Sequence, residues 1–560
     1  MQRSFPILLT VLLMAFSSLQ AQPKREVRAA WLTTAYGLDW PSKRATTPRE
    51  AERQKAELCR LLDELEAANL NTVLFQVRIR GDVAYPSKVE PFNEIFSGRE
   101  GIPPPYDPLA FAVRECHKRG MELHAWLVTI PLGTDKHVKS LGKSSVSKQQ
   151  PALCKKYQQE WYLDPGNPET KNYLMSIVRE IVTGYDVDGI HFDYIRYPDH
   201  PAAFPDNDTY RKYGKGKPLA AWRRDNITAI VRHLYNGVKA VKPWVKVSSS
   251  PIGKFRDTSR YSSSGWNAYH AVYQDAQGWL QEGIQDMLFP MIYFRGNGFF
   301  PFALDWQEKC CGRFIIPGLG IYFLHPSEKN WPLEEIERQI NFTRSQGLAG
   351  QAYFRAGFLS KNTKGLTDEL ICNYYAFPAL LPAMTWLDQT PPTIPQNLKA
   401  EPVSGSTRLT WSASTDNTPG KQPYYVIYAS DQYPVDVEDP RNIVAKRVMG
   451  TNYSYNPVYP EKNKSYFAVT AVDRYGNESL PAQFTGGRME NPPTHVSDTL
   501  FLPVDKRAEF IVLTDISGRS VRCIPYVPAI HIGNLIPGFY NYLLTGKDGL
   551  IIRKEGFIKR

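Results

Sequence analysis

From residue 27 to residue 384 short apolar runs alternate with longer amphipathic stretches. The apolar runs are VRAAWLTTA (27–35), NTVLFQVRI (71–79), MELHAWLVTI (121–130), GIHFDYI (189–195), VKVSSSPI (245–252), DMLFPMIYF (286–294), FIIPGLGIYF (314–323) and LAGQAYFRA (348–356). Such nearly continuous runs fit parallel strands covered on both faces. The intervening stretches carry apolar residues at helical spacing. Segment 48–70 opens after Thr47 with Pro48 at the first helical position, and 108–120 stops at Gly120. Further helices are predicted over 170–185, 220–242, 272–283, 302–311, 333–347 and 367–384. Eight strand–helix units predict a (β/α)8 TIM barrel over 25–385. An open doubly wound sheet is the competing fold, but no GxGxxG follows the first strand.

The pattern then changes. Residues 386–396 are a Pro-rich linker. Residues 397–488 alternate with period two between turns, through TRLTWSAS, YYVIYAS, NYSYNP and KSYFAVTAVDRYGNES, as a small β-sandwich does. Residues 498–560 form another small β unit cut by Gly turns. The fold class expected is therefore α/β, a barrel followed by all-β accessory domains.

Residues 1–22 have the build of a secretory signal peptide: Arg3, an apolar core from Pro6 to Phe16, and Leu19-Gln20-Ala21 before the cleavage point. That run is short for a bilayer, and no later stretch is long and apolar enough for a membrane helix. The expectation is an exported protein of the periplasm, the outer surface or the medium, with no integral membrane segment. The seven Cys form no regular framework and no CxxC or CxxH spacing, so no metal site and no cofactor are expected. The net charge of +11 is spread along the chain without a dense Lys/Arg tract, which argues against nucleic acid as a partner.

The chemistry concentrates in DGIHFDYIRYP (188–198). Alternation puts His191 and Asp193 on one face of a strand, with the charge late, where a barrel opens. An unpaired carboxylate costs several kcal/mol in a core, so either a neighbour such as Arg78 neutralises Asp193 or the strand has reached a working surface, and the second reading is preferred. Asp188, at the start of the strand, fits a bottom-face hydrogen bond better. Other strands repeat the late polarity: Gln76, Arg78 and Arg80; Glu122, His124 and Trp126; Gln351, Tyr353 and Arg355. A rim carboxylate among Arg, His, Trp and Tyr suits glycoside hydrolysis, which needs a second carboxylate. Candidates on rim loops are Asp39, Asp82, Glu90, Glu94 and Asp199, and Glu90 is taken as the partner of Asp193. Arg78, His124, His191 and Arg196 are expected to orient the sugar or tune the carboxylate. Trp126, Tyr194 and Tyr293 are expected to stack on sugar faces.

REVRAAWLTTAYGLDWP, NTVLFQVRIRGDVAYPSKVEP, YDPLAFAVRECHKRGMELHAW, WYLDPGNPETKNYL and YDVDGIHFDYIRYP, followed by WRRDNI, SSSPIGKF and DMLFPMIYF, resemble the glycosyl-hydrolase-like 10 family in order over about residues 25–380. The resemblance implies a (β/α)8 barrel acting on bacterial envelope glycans, foremost peptidoglycan strands, with Asp193 catalytic. The chain differs from that family's usual pattern at Tyr194, where a second Asp is common, and at Met291, where Gln is common. It also lacks the chitinase pattern DGxDxDxE, with Ile195 at the Glu position. The segment after the linker resembles a fibronectin type III domain. LTDISGRSV and IGNLIPGFYNYLL resemble a type IX secretion sorting domain, which implies envelope attachment or removal of the tail. Two rival readings remain: a non-catalytic glycan-binding barrel, and a scaffold whose accessory domains hold a protein partner.

Overall fold

The computed structural model describes residues 22–261, 265–403, 406–418, 420–456, 464–484, 494–502, 507–547 and 549–560. The signal-peptide reading falls, but for Gln22, outside the described residues. Eight parallel strands form the barrel: β1 (Val27–Leu32), β2 (Thr72–Arg78), β3 (Glu122–Val128), β4 (Gly189–Asp193), β5 (Lys246–Ser249), β6 (Met287–Leu288), β7 (Phe314–Ile315 with Gly318–Leu319) and β8 (Gly350–Tyr353). The first part of β7 pairs with β6 and its second part with β8, and β8 pairs with β1, so the ring closes. The break in β7 falls at Pro317, which has no N–H to give a ladder.

Alternation sorts each strand. Val27, Ala29, Trp31, Leu74, Trp126, Met287, Phe289, Ile316 and Ala352 fill the interior of the barrel. Ala30, Leu32, Val73, Phe75, Leu123, Ala125, Ile190 and Phe192 face the helices outside. The helix Pro48–Ala67 shows how the sequence builds this outer layer. Thr47 accepts the Glu50 N–H at 3.3 Å, while the Glu50 carboxylate takes the Thr47 N–H at 3.0 Å. Its stripe of Leu58, Leu61, Leu62 and Leu65 is buried, each side chain worth about 1.5–3 kcal/mol.

All eight expected strands are present. The eighth helix is not as expected over 367–384: Leu366–Glu369 runs into a wide turn at Leu370–Tyr374, and the chain then extends. Tyr375 explains the stop. It is fully buried, with its hydroxyl between Tyr353 and Gln351, and Pro378 and Pro382 follow. A second difference lies between β3 and β4. Here Pro131–Thr134, Cys154–Tyr157 and Glu160–Leu163 form a three-stranded antiparallel excursion carrying the short helix Asp135–Ser140.

Below the barrel, a three-stranded and a four-stranded antiparallel sheet form a seven-stranded sandwich over Gln396–Phe484. It meets the N-terminal end of the barrel through ion pairs, of which those of Asp188 and Glu478 are buried. Arg447 bonds Asp188 at 2.7 Å, Lys421 and Arg474 bond Asp186 at 2.8 and 3.1 Å, and Lys24 bonds Glu478 at 2.7 Å. In the last unit, Thr494–Lys559, the described residues form a five-stranded and a two-stranded sheet around a separate apolar core.

Candidate active site

A cavity of about 600 Å³ opens at the C-terminal end of the barrel. Asp193 lies at its base and is 6% exposed. Its Oδ1 accepts the Ser250 hydroxyl at 2.7 Å and the Tyr194 N–H at 2.8 Å. Its Oδ2 accepts the Trp126 Nε1–H at 3.2 Å. Trp126 and Ser250 come from the ends of the two neighbouring strands, so barrel register aims them, while the Tyr194 amide follows Asp193 on its own strand. Burial pushes the Asp193 carboxyl above the ordinary aspartate range, against Ser250, the Tyr194 amide, Arg196 and Trp126, which pull it down. Oδ1 is filled by two donors, whereas Oδ2 has one and keeps a free site for a proton or a reacting atom.

The excursion after β3 contributes Pro131, Gln158, Glu160 and Tyr162 to the lining and so brings in a carboxylate that sequence reasoning passed over. Glu160 lines the cavity, one-third exposed, with Arg80 Nη1 at 3.3 Å and the Tyr162 hydroxyl at 2.9 Å. The signal was present in KYQQEWYL: alternating residues on either side of Gln158-Gln159, both with positive φ, make a tight hairpin.

Tyr194, Arg196 and Tyr293 line the same cavity. Tyr194 sits at φ 50°, in the left-handed region that costs a non-glycine residue about 1 kcal/mol, and is 40% exposed. The Arg196 guanidinium lies between its ring (4.7 Å) and that of Trp266 (5.1 Å), and bonds Asp199 at 2.7 Å. Tyr293 stacks on Phe354 at 5.5 Å. Burial and then the nearby Asp193 charge push its hydroxyl well above the usual phenol range.

Trp126 and Asp199 also line this cavity, whereas His191, His124, Arg78 and Glu90 lie outside it. Trp126, at the cavity lining and 3% exposed, donates to Asp193 and so fixes the carboxylate. His191 is one interior layer down: its Nε2 accepts from Trp31 Nε1 at 3.2 Å, and its Nδ1–H donates to Ser248 at 2.9 Å. Burial holds its pKa well below the usual histidine value, so it is neutral. His124 is fully buried and bonds Glu122 at 3.0 Å. Arg78 and Glu90 form a closed, buried pair. Arg78 Nε and Nη2 reach the two Glu90 oxygens at 2.7 and 2.6 Å, and the Tyr173 hydroxyl caps one of them at 2.7 Å. Arg78 also donates to the carbonyls of Val128 and Thr129, and the Thr129 N–H bonds the Asp193 carbonyl at 2.8 Å. Glu90 thus braces the rim beside the site and does not line the cavity. Asp39 is held by Arg355 and the amides of Thr33 and Gly357, and Asp82 by Asn93 and His137.

The sequence matches the profile of the family described as glycosyl hydrolase-like 10 over residues 26–323. The chain belongs to that family. It is 33% identical over 490 residues to the glycosyl hydrolase YngK of Bacillus subtilis (strain 168), covering 83% of this chain and 94% of that one. It is 32% identical over 373 residues to the glycosyl hydrolase DigH of Escherichia coli (strain K12), covering 61% and 85%. Among solved structures it is similar to the glycoside hydrolase domain of PgaB (BpsB) from Bordetella bronchiseptica, at TM-score 0.43 and 14% identity over 60% of this chain and 99% of that one. Family membership makes this glycosyl hydrolase-like 10 chain a glycosidase-type enzyme.

Proposed function

We propose that this protein is an exported glycosidase that cleaves bacterial envelope glycan, foremost the glycan strands of peptidoglycan, with Asp193 and Glu160 as its carboxylate pair. One observation carries the reading. A buried carboxylate fixed by three donors lines an open cavity that Glu160 and Asp199 also line. Asp193, raised by burial, is the general acid, and its free Oδ2 site delivers the proton to the leaving oxygen. Glu160 is the base or nucleophile at the anomeric carbon. Tyr194 and Tyr293 offer ring faces to the sugar, and Arg80 and Arg196 offer donors to its polar groups. The signal-like residues 1–22 and the resemblance to envelope-acting barrels support the location and substrate. The last β unit is the part that would attach the protein to the envelope.

The test is to incubate the full chain with peptide-free peptidoglycan strands, chitin-type glycan and plant-type glycan, and to count new reducing ends beside Asp193→Asn. Release from peptidoglycan, lost by a factor of about 10³ or more in the variant, is expected. Saturable binding without new ends would instead establish a glycan-binding barrel.

A further inference from the structure

Beside the cavity, three loops distant in sequence bring together a group of side chains that the glycosidase reading leaves unused. Asp82 lies in the turn after β2, Glu100 after the short helix Glu94–Ser97, and His137 in the helix of the excursion. One donor atom from each lies within 4.8 Å of the others. His137 Nε2 is 3.3 Å from Asp82 Oδ2 and 3.0 Å from the Arg80 carbonyl oxygen. Bonds of about 2.0–2.2 Å from one cation to N and O ligands set edges between neighbouring ligands of about 3.0–3.5 Å.

Two further observations point to a ligand. Glu100 Oε2 is buried and has no hydrogen-bond partner, which is costly for a carboxylate oxygen unless something binds it. The space is also shaped for the imidazole. Gly133 has φ +96°, and a Cβ there would lie 2.7 Å from His137 Cδ2. The surroundings orient the donors as they do around bound ions: Asn93 donates to Asp82 Oδ2, and the Arg80 N–H donates to Asp82 Oδ1 at 3.0 Å.

We propose that Asp82, Glu100 and His137, with the Arg80 carbonyl, form a structural site for one divalent transition ion of the Zn²⁺ or Mn²⁺ kind. One imidazole with carboxylate and carbonyl oxygens suits these ions, and the absence of thiolate from this group disfavours softer ones. Asp82 is fully buried and does not line the cavity, so the ion does no hydrolysis. It ties the β2 turn to the excursion. Because Arg80 supplies both a backbone ligand and the side chain on Glu160, it also fixes one wall of the site.

The experiment uses the untagged full chain, stripped with a chelator and dialysed against Zn²⁺ or Mn²⁺. Retained metal is counted by mass spectrometry and the melting temperature recorded. One equivalent per chain is expected, with a rise in Tm of about 2–5 °C at saturating metal. Affinity should fall about tenfold or more in both Glu100→Gln and His137→Ala. Glu100→Gln keeps the shape of the side chain and decides the matter if His137→Ala does not fold. No retention by the folded wild type would overturn the site. So would equal retention in Glu100→Gln, which would mark adventitious binding elsewhere.

Discussion

The Ser250 hydroxyl donates to Asp193 Oδ1 at 2.7 Å, across from the Trp126 indole on Oδ2, so two strands adjacent to β4 hold one carboxylate from opposite sides. Hydrogen bonds to charged groups contribute about 1.5–3 kcal/mol. Ser250→Ala should therefore lower kcat by about 10- to 100-fold. Because the Ser250 bond pulls the Asp193 carboxyl down, its loss raises that carboxyl further. The limb of the pH–rate profile set by Asp193 should move to higher pH, whereas a purely structural loss would lower Tm and leave the limb in place.

Asp193 itself should cost the protein stability at neutral pH. Burial raises its carboxyl in the folded state, so the folded form holds the proton more tightly than the unfolded chain does. The stability this gives is complete below the unfolded value, near pH 4, and disappears as pH rises through the folded value. Asp193→Asn removes the buried charge and keeps the shape. Thermal melts of the variant should match or exceed wild type at pH 7, and the difference should close by about pH 4. A variant that melts well below wild type at pH 7 would contradict the burial argument.

Glu160 and Glu90 should separate cleanly under the same change. Glu160→Gln removes a cavity carboxylate that is one-third exposed, and should cut turnover by about 10²-fold or more while leaving Tm nearly unchanged. Glu90→Gln leaves the Arg78 guanidinium buried without its counter-charge. That change should cost about 3–5 kcal/mol of stability by urea titration, with activity falling only as the folded fraction falls. The opposite assignment of the two phenotypes would return Glu90 to the chemistry.

The ring of strands was legible because each is an apolar run long enough to be buried on both faces, and Asp193 was legible because a charge at the end of such a run has no place in a core. His191 shows the limit of that logic. It shares a face with Asp193, yet two residues of strand separate an interior histidine bonded to Trp31 and Ser248 from a carboxylate in the open cavity. Arg78 and Glu90 were visible as polar residues near the rim, but their closure on each other depends on a loop folding back, which no spacing encodes. Glu160 stayed hidden because the excursion interrupts the strand–helix rhythm within a single connection. The end of the last helix was missed because Tyr375 is pulled inward by Tyr353 and Gln351, partners far off in sequence or on another element.

The sandwich is expected to be part of the stability of the barrel. Asp188, at the start of β4, accepts the Leu123 N–H at 3.0 Å, bonds His117 at 2.8 Å, and takes Arg447 from the sandwich at 2.7 Å. Burial works against its charge, but Arg447 and His117 outweigh it and hold the carboxyl well below the usual range. Arg447→Ala removes one partner of a buried pair and should cost about 3 kcal/mol at pH 7. A carboxyl lowered in the folded state gives stability that is present above its unfolded value and lost as pH falls through the folded one. The gap between wild type and Arg447→Ala in urea titrations should thus persist from pH 7 to about pH 5 and narrow below about pH 4. If the gap is absent at pH 7, the sandwich merely hangs below the barrel. If it is present and indifferent to acid, the Arg447 side chain contributes packing, and the Asp188 charge is not what it serves.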